Sequence, residues 1–363
     1  MHGRGRLRLY SDPRFLPPGV PHSAILWPFW GPAEERAEWF SARRFQRYAV
    51  EGGRLFELVH DVADADVAVL PAHWNRYRKA GAQQLALAFA AAVQRAGKRL
   101  LVFFDSDSEE EIPLPEAIVF RPSLYRSDPR AGTLPLPGWS GDLLLNHCEG
   151  VLTPREKSPV PVVGFCGATE LRVQSWKSRW SGRSQEPPHE RAAFALRNDV
   201  LDHLQRSGVV RTNFIRRRGY FGGSIARPRW KRLLFPAASA WDPHAGERVR
   251  REFVENLGNS DYVVCVRGSG NFSTRLYEAL CMGRIPLIID TDCVVPFSER
   301  PEWSTLTVWC PASDLPSAGA RVAAFHDALT PREFVDRQYA CRRFWEERLS
   351  PEGFFGHLAE MLD

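Results

Sequence analysis

Short apolar runs, separated by proline, glycine and polar residues, make up the first part of the chain. Four of these runs are predicted to be β-strands: 6–10, 23–29, 54–59 and 65–71. A stretch rich in Ala, Leu and Gln over 79–97 predicts a helix that ends at Gly97. The run RLLVFF at 99–104 is apolar throughout, as is typical of a buried strand in a parallel sheet. This part of the chain therefore predicts an α/β unit.

A second alternating series begins at 161, after an irregular stretch over 121–160 that is rich in Pro, Gly and Ser. Its predicted strands are 161–167, 209–215, 262–266 and 285–289. Its predicted helices are 190–206, 247–258 and 273–283, and 216–246 is predicted to be a long loop rich in Arg and Gly. Strand–helix–strand units of this spacing close right-handed in a parallel sheet.

The predicted fold class is therefore α/β, with two Rossmann-like domains facing a central cleft. A change of domain is expected in 121–160, which gives a first domain over 1–155 and a second over 156–330. The remainder, 331–363, has the periodicity of an amphipathic helical segment. A length of 363 residues favours two domains over one.

Basic residues are concentrated in one part of the chain, although the net charge is only +5. Eight of them lie between 211 and 232: Arg211, Arg216, Arg217, Arg218, Arg227, Arg229, Lys231 and Arg232. Such a cluster suits phosphates, acidic glycans, anionic lipid surfaces or nucleic acid, and a solvated surface loop is the alternative. No nucleic-acid-binding motif accompanies it, so a nucleic-acid partner is not expected.

The seven cysteines include no CxxC pair, which argues against a zinc site and favours free thiols in a reducing compartment. The N-terminus lacks the apolar region of a signal peptide, and no apolar run reaches the roughly 18 residues of a membrane span. The sequence therefore predicts a cytoplasmic protein. The basic cluster extends this prediction to peripheral contact with an anionic membrane at its inner face.

The segment 261–289 carries the most informative motif. After the predicted strand, Gly268, Ser269 and Gly270 form a turn that lets a ligand approach the backbone closely. Ser273 is the predicted N-cap of the next helix, whose first N–H groups and positive dipole end would face the cleft. This arrangement is typical of a phosphate site.

Charged side chains flank this turn. Arg267 and Arg275 bracket the start of the helix and could grip phosphate oxygens, with Arg218 as a third candidate. Glu278 lies one turn further and could accept hydrogen bonds from the two hydroxyls of a ribose. Together these residues predict a nucleotide pocket. The alternative is an exposed ion pair, because Arg275 and Glu278 have i, i+3 spacing.

The pattern CVRGSGNFSTRLYEALCMGRIPLIIDTDCVVPF within 261–297 resembles the signature of exostosin-type glycosyltransferases. That signature has an Arg-Gly turn, a Ser-x-Arg-Leu-x-Glu-Ala helix, Gly-x-Ile-Pro and an apolar-Pro-Phe segment. Weaker similarities occur at 65–77, 161–167 and 342–355.

The resemblance implies a GT-B fold whose first domain binds a glycan or lipid-linked glycan acceptor and whose second binds a nucleotide-sugar donor. It also implies that the C-terminal helix packs back on the first domain. The implied reaction is an inverting sugar transfer in polysaccharide biosynthesis. The expected donor is UDP-linked, as a substrate, with no cofactor and no metal. Gly270 stands where many retaining GT-B enzymes have a second Glu, which suits inversion.

Inverting transfer needs a general base, expected from the first domain. Asp105 and Asp107 follow the strand 99–104 at its carboxyl end, where ligands gather in parallel sheets, and His73 is a rival. An acidic turn exposed to solvent is the alternative for the two aspartates. A further alternative is that this Asp-Ser-Asp triplet holds Mg²⁺ or Mn²⁺, as in GT-A enzymes, although this leaves the 261–289 motif unexplained.

Aromatic residues near the predicted cleft could stack on acceptor sugars: Trp27 and Trp30, with Gly31 after them, and Trp74. Packing in the core is the alternative for at least half of them. Three other functions stay open at this point. The chain could be a non-catalytic nucleotide-sugar or glycan-binding partner protein, a sugar-nucleotide epimerase with the same two-domain fold, or a transferase that uses a CMP-linked acidic sugar.

Overall fold

Two parallel β-sheets form the framework of the chain in a computed structural model, which describes residues 6–33, 43–170, 188–218 and 243–362. The first sheet has the order β2-β1-β3-β4-β5-β6. Its strands are β1 (Leu7–Tyr10), β2 (Phe56–Val59), β3 (Val67–Val69), β4 (Arg99–Phe103), β5 (Ile118–Arg121) and β6 (Thr133–Pro135). The second sheet has the order β11-β10-β9-β7-β8. Its strands are β7 (Val162–Glu170), β8 (Arg211–Arg218), β9 (Tyr262–Cys265), β10 (Ile285–Asp290) and β11 (Val308–Pro311).

Helices flank both sheets. The described α-helices are α1 (Trp27–Trp30), α2 (Gln46–Glu51), α3 (Trp74–Lys79), α4 (Gln83–Arg95), α5 (Leu143–His147), α6 (Pro188–Arg206), α7 (Pro243–Gly258), α8 (Thr274–Cys281), α9 (Glu302–Thr305), α10 (Ala318–Asp327), α11 (Pro331–Phe344), α12 (Pro351–Gly356) and α13 (Leu358–Leu362). The predicted α/β class with two Rossmann-like sheets is confirmed, and the domain boundaries at 155 and 330 stay predictions. Among the described residues, no helix has the length and hydropathy needed to cross a membrane.

Continuous apolar runs became buried parallel strands, as predicted. β3 and β9 are buried at every position, and β4 is buried except at its first residue. Because helices cover both faces of a parallel sheet, each of these strands must be apolar on both faces. The carboxyl ends of β4 and β9 then carry the two polar segments that the sequence singled out.

The predicted strand at 23–29 is wrong. A 3₁₀ turn covers Ala24–Leu26 and α1 follows it, ending at Gly31 with φ 86°. Periodicity cannot separate a buried strand from a buried helix in so short an apolar run. Pro28 lies in the first turn of α1, where its missing N–H is not needed.

Several other elements begin or end at residues different from those predicted. The predicted helix 79–97 begins earlier and is divided into α3 and α4 at Gly81, whose φ of 65° breaks the helical path. It ends as predicted near Gly97, which also has φ 65°. The irregular stretch 121–160 contains β6 and α5. Both ends of the predicted loop 216–246 are regular structure, because β8 runs to Arg218 and α7 begins at Pro243; residues 219–242 lie outside the described part of the chain.

The C-terminal segment packs back on the first sheet, as the resemblance implied. The rings of Phe354 and Phe120 are 5.9 Å apart, and those of Phe355 and Phe103 are 5.8 Å apart. Trp139 donates a hydrogen bond from Nε1 to the Leu349 carbonyl at 3.0 Å. The last helices therefore complete the hydrophobic core of the first sheet.

Candidate functional site

The predicted strand–turn–helix motif lies at the carboxyl end of β9. α8 begins after Ser273, which has an extended backbone at the N-cap position and makes no capping hydrogen bond with its side chain. Among the described residues, none has an atom within 4 Å of the place where a Cβ on Gly268 would project. The turn therefore leaves backbone open on one side, next to the N-terminus of a helix.

Arg267 is held by hydrogen bonds around this turn. Its Nη2 donates to the Ser269 carbonyl at 2.9 Å and its Nε to the Gly268 carbonyl at 3.4 Å. Its Nη1 donates to the hydroxyl of Tyr125, a residue of the first half, at 3.0 Å. A guanidinium has five N–H groups. Within the described part of the chain, these bonds leave one N–H on Nη1 and one on Nη2 for a ligand.

Arg275 is anchored on the neighbouring strand β7. Its Nη2 donates to the Cys166 carbonyl at 2.9 Å, and its guanidinium carbon lies 4.4 Å from the centre of the Phe165 ring. A Cβ on Gly167 would lie only 2.6 Å from Nη2, so the glycine makes room for this contact. No described residue accepts a hydrogen bond from Arg275 Nε.

Glu278 is buried, with an exposed fraction of 3%. Burial raises the pKa of Glu278 to about 7, and the charges of Arg275 and Arg250 only partly offset this effect. In the described part of the chain, Oε1 has no hydrogen-bond donor. The alternative of an exposed ion pair is therefore wrong. A buried carboxylate oxygen without a partner is unfavourable for folding, and such groups concentrate at functional sites.

Asp107 extends from the first sheet to this turn. Its carboxylate is exposed, and a Cβ built on Gly270 would lie 3.0 Å from Asp107 Oδ1. The same Cβ would lie 2.8 Å from the Phe272 ring. The two halves of the chain therefore meet where the polar ends of β4 and β9 face each other.

We expect the Gly270→Ala variant to lose about 1–3 kcal/mol of unfolding free energy, because the added methyl overpacks this contact. Urea unfolding of the purified variant measures the loss. Gly268→Ala is the matched control, since its methyl would contact none of the described residues. Equal stability of the two variants would show that the Phe272 ring and Asp107 do not pack against Gly270.

The other two predicted bases lie together. The Asp105 N–H donates to His73 Nδ1 at 3.4 Å, and Asp105 Oδ2 pairs with Arg44 Nη1 at 3.1 Å. Burial alone would raise the pKa of Asp105, but the charge and hydrogen bond of Arg44 outweigh it and hold the pKa below its usual value. Burial, together with Arg76, lowers the pKa of His73 to about 4. His73 is therefore neutral, with its proton on Nε2.

The tryptophans and the basic cluster, which were also predicted to contact ligands, lie in several different environments. Trp27 and Trp74 are buried and pack in the core, whereas Trp30 is half-buried beside His22. In the basic cluster, Arg216 and Arg217 lie in β8 and not in the predicted loop. Arg216 pairs with Asp202, and Arg217 pairs with Glu252. The Arg218 side chain and the basic residues from 227 to 232 lie outside the described part.

Sequence reasoning missed the segment that joins the two halves at the turn. Asn271 is completely buried, and its backbone N–H donates to Ser123 Oγ at 2.9 Å. Its side-chain amide donates to the Leu124 carbonyl at 2.9 Å and accepts from Thr291 Oγ1 at 2.7 Å. Because both the nitrogen and the oxygen of this buried amide are hydrogen-bonded, the side chain fixes the turn. No local pattern marked these residues, because their partners are far apart in sequence.

No protein-family model matches this chain. Among curated proteins, a probable glucuronosyltransferase (GUT1) of Oryza sativa subsp. japonica is 34% identical over 125 residues, 32% of this chain and 30% of that protein. A probable beta-1,4-xylosyltransferase (IRX10) of Arabidopsis thaliana is 33% identical over 64 residues, 18% of this chain and 16% of that protein. The alignments thus span a third or less of the length of these relatives.

Solved structures align more widely but more loosely. A glycosyltransferase from Rickettsia africae aligns over 99% of this chain and 98% of its own, with a TM-score of 0.38 and 9% identity. The structure of TarM covers 72% of this chain and 54% of its own, with a TM-score of 0.32. The fold assignment rests on the two parallel sheets themselves. Over the part matched in sequence, the chain is related to plant glucuronosyl- and xylosyltransferases, and the predicted relationship to exostosin-type glycosyltransferases is confirmed.

Proposed function

We propose that this chain is an inverting glycosyltransferase that moves a sugar from a UDP-linked donor to a glycan or lipid-linked glycan acceptor. One observation carries the proposal: the Asp107 carboxylate lies against the Gly270 turn, which leads into the helix that bears Arg275 and the buried Glu278. A base on one half of the molecule would thereby face a phosphate and ribose site on the other. The names of the sequence relatives, glucuronosyltransferase and xylosyltransferase, support the same class of reaction.

The donor would be bound by the second half. The remaining N–H groups of Arg267 and the N-terminus of α8 would hold the diphosphate, and both would stabilise the charge that develops on it as it leaves. The Ser273 side chain does not occupy the helix N-terminus, so backbone N–H groups there can serve a ligand. Glu278 Oε1, which lacks a donor among the described residues, would accept a ribose hydroxyl.

Transfer would be a single displacement. The acceptor oxygen attacks the anomeric carbon while the bond from that carbon to the diphosphate oxygen breaks. The hydroxyl proton passes to Asp107, and the nucleoside diphosphate leaves with the bonding electron pair. Asp107 suits this role better than Asp105, which Arg44 holds at a low pKa, or His73, whose Nε2 already carries a proton.

Thermal stabilisation by UDP, GDP, ADP and CMP, with and without EDTA, tests the donor site. At 100 times its dissociation constant, UDP is expected to stabilise the protein by about 2.7 kcal/mol, in EDTA as well. Stabilisation by no nucleotide would contradict the proposal and favour a glycan-binding role. A shift with CMP alone would favour a CMP-linked acidic sugar as donor. A shift that needs a divalent metal would favour metal ligation.

Incubation of the protein with labelled UDP-sugars tests the reaction itself. The expected result is transfer of the label to an oligosaccharide acceptor, with inversion at the anomeric carbon. Epimerised sugar nucleotide in the absence of acceptor would show an epimerase instead.

A further inference from the structure

The segment 123–127 belongs to the first half of the chain but is bonded to the second. It lies in the connection between β5 and β6. On one side it receives the backbone and side-chain hydrogen bonds of Asn271 described above, at 2.9 Å each. The donor turn is therefore built on a support from the other half of the molecule.

A second set of contacts ties the same segment to the end of β10. The two terminal N–H groups of Arg126 Nη2 reach both oxygens of Asp290, at 2.9 and 2.7 Å, and Arg126 Nη1 donates to the Cys293 carbonyl at 2.7 Å. The Ser127 N–H donates to the Asp292 carboxylate at 3.0 Å. The bonds from Asn271 lie before Tyr125 in the segment, and those of Arg126 and Ser127 lie after it. Together they fix the position of Tyr125 relative to the second sheet.

Tyr125 itself connects an acidic group of the first half to a basic group of the second. Its hydroxyl donates to Glu109 Oε1 at 2.8 Å and accepts from Arg267 Nη1 at 3.0 Å. Burial and the hydrogen bond to Glu109 raise the pKa of Tyr125, so the hydroxyl keeps its proton at neutral pH. The Arg267 guanidinium carbon also lies 5.7 Å from the centre of the Tyr125 ring.

Arg267 is thus held on three sides, by two carbonyls of its own turn and by Tyr125. The carbonyls restrain Nε and Nη2, and only Tyr125 restrains Nη1 among the described residues. Without the hydroxyl, Nη1 would have to be ordered by the ligand at the moment of binding. That ordering costs free energy, which a pre-positioned side chain does not lose.

We propose that Tyr125 is a positioning residue for the donor diphosphate: its hydroxyl, polarised by Glu109, orients the Arg267 guanidinium so that one N–H on each terminal nitrogen faces the phosphates. The inference rests on the proposed function, since it assigns the diphosphate to Arg267. It also makes donor binding depend on contact between the two halves, because Tyr125 and Glu109 come from the first and Arg267 from the second.

UDP binding to the Tyr125→Phe variant tests the proposal by calorimetry. Phenylalanine keeps the ring and removes the hydroxyl, so we expect UDP affinity to fall about tenfold, the value of a hydrogen bond to a charged group. The donor KM should rise by a similar factor while the acceptor KM stays unchanged. Tyr339→Phe, at a residue with 45% exposure, is the matched control.

A second variant tests the role of Glu109. Glu109→Gln leaves the Tyr125 hydroxyl in place but removes the charge that polarises it, so we expect a loss of about threefold in UDP affinity. The double variant should lose no more than Tyr125→Phe alone, because both changes act through the same hydroxyl. Melting temperatures without ligand separate this role from a structural one.

Equal UDP affinity for wild type and Tyr125→Phe overturns the positioning role and leaves the proposed function intact. A fall in affinity matched by the same fall in the Tyr339→Phe control, or by unfolding of the unliganded variant, also overturns it. Absence of UDP binding to the wild type overturns the proposed function, and the role of Tyr125 with it.

Discussion

The Asp107→Asn variant is expected to lose about 10²- to 10⁴-fold in kcat, the range that general base catalysis contributes. Asparagine keeps the size of the side chain but cannot accept the proton of the acceptor hydroxyl. Asp107 does not contribute to the proposed phosphate and ribose contacts, so UDP affinity should stay within about twofold of the wild-type value. Steady-state kinetics and calorimetry on the same preparation check both expectations.

Asp105→Asn is the comparison that makes this result specific. The substitution removes a carboxylate that pairs with Arg44 at 3.1 Å, where the two side chains have exposures of 19% and 28%. We therefore expect a loss of unfolding free energy and a smaller loss of kcat than in Asp107→Asn. The opposite order of the two kcat losses would place the base at the pair of His73 and Asp105.

The Glu278→Gln variant is expected to lose about 10- to 100-fold in UDP affinity, as for one or two hydrogen bonds to a charged acceptor. The loss should depend on pH. Burial raises the pKa of Glu278 to about 7, and the ionised carboxylate is the form that accepts both ribose hydroxyls. Wild-type affinity should therefore rise with pH up to about 7, by about tenfold per pH unit at most, and then level off. In the Gln variant this pH dependence should disappear.

The free energy of unfolding should depend on pH in the opposite direction to UDP affinity. Between the usual value of 4.5 and about 7, the folded chain holds a proton on Glu278 that the unfolded chain has released. The stability contributed by Glu278 is therefore fully present below pH 4.5 and falls as pH rises through this window. Above it, Glu278→Gln should be more stable than wild type, by up to roughly 3 kcal/mol. A Gln variant that is less stable at pH 8 would show that Glu278 has a partner in the folded protein.

Elements whose local pattern agrees with their burial were predictable from sequence. The runs at 99–104 and 262–266 are apolar on both faces because helices cover both faces of a parallel sheet. The segment 23–29 was not, because so short an apolar run can equally form a turn and a helix, and here only its first part, up to Trp27, is buried. β6 and β11 are short and each ends in proline, so they carry no distinct strand pattern.

Part of the candidate site was likewise predictable from the sequence, and part was not. The turn and the helix with Arg275 and Glu278 are contiguous in sequence, so their spacing was enough to predict them. The contact of Asp107 with Gly270 depends on how the two halves meet, and so does the bond from Tyr125 to Arg267, which are 142 positions apart. Only the arrangement of the two sheets brings these groups together.

The return of the C-terminal segment to the first sheet determines when that sheet can finish folding during synthesis. Trp139 bonds to Leu349, 210 residues further along, and Phe354 and Phe355 close over Phe120 and Phe103. A nascent chain that has only just released the first sheet from the ribosome still exposes this aromatic surface. The core of the first half therefore cannot be completed until the C-terminal helices have been synthesised. A chain that lacks its final two helices would expose an aggregation-prone surface on the first half.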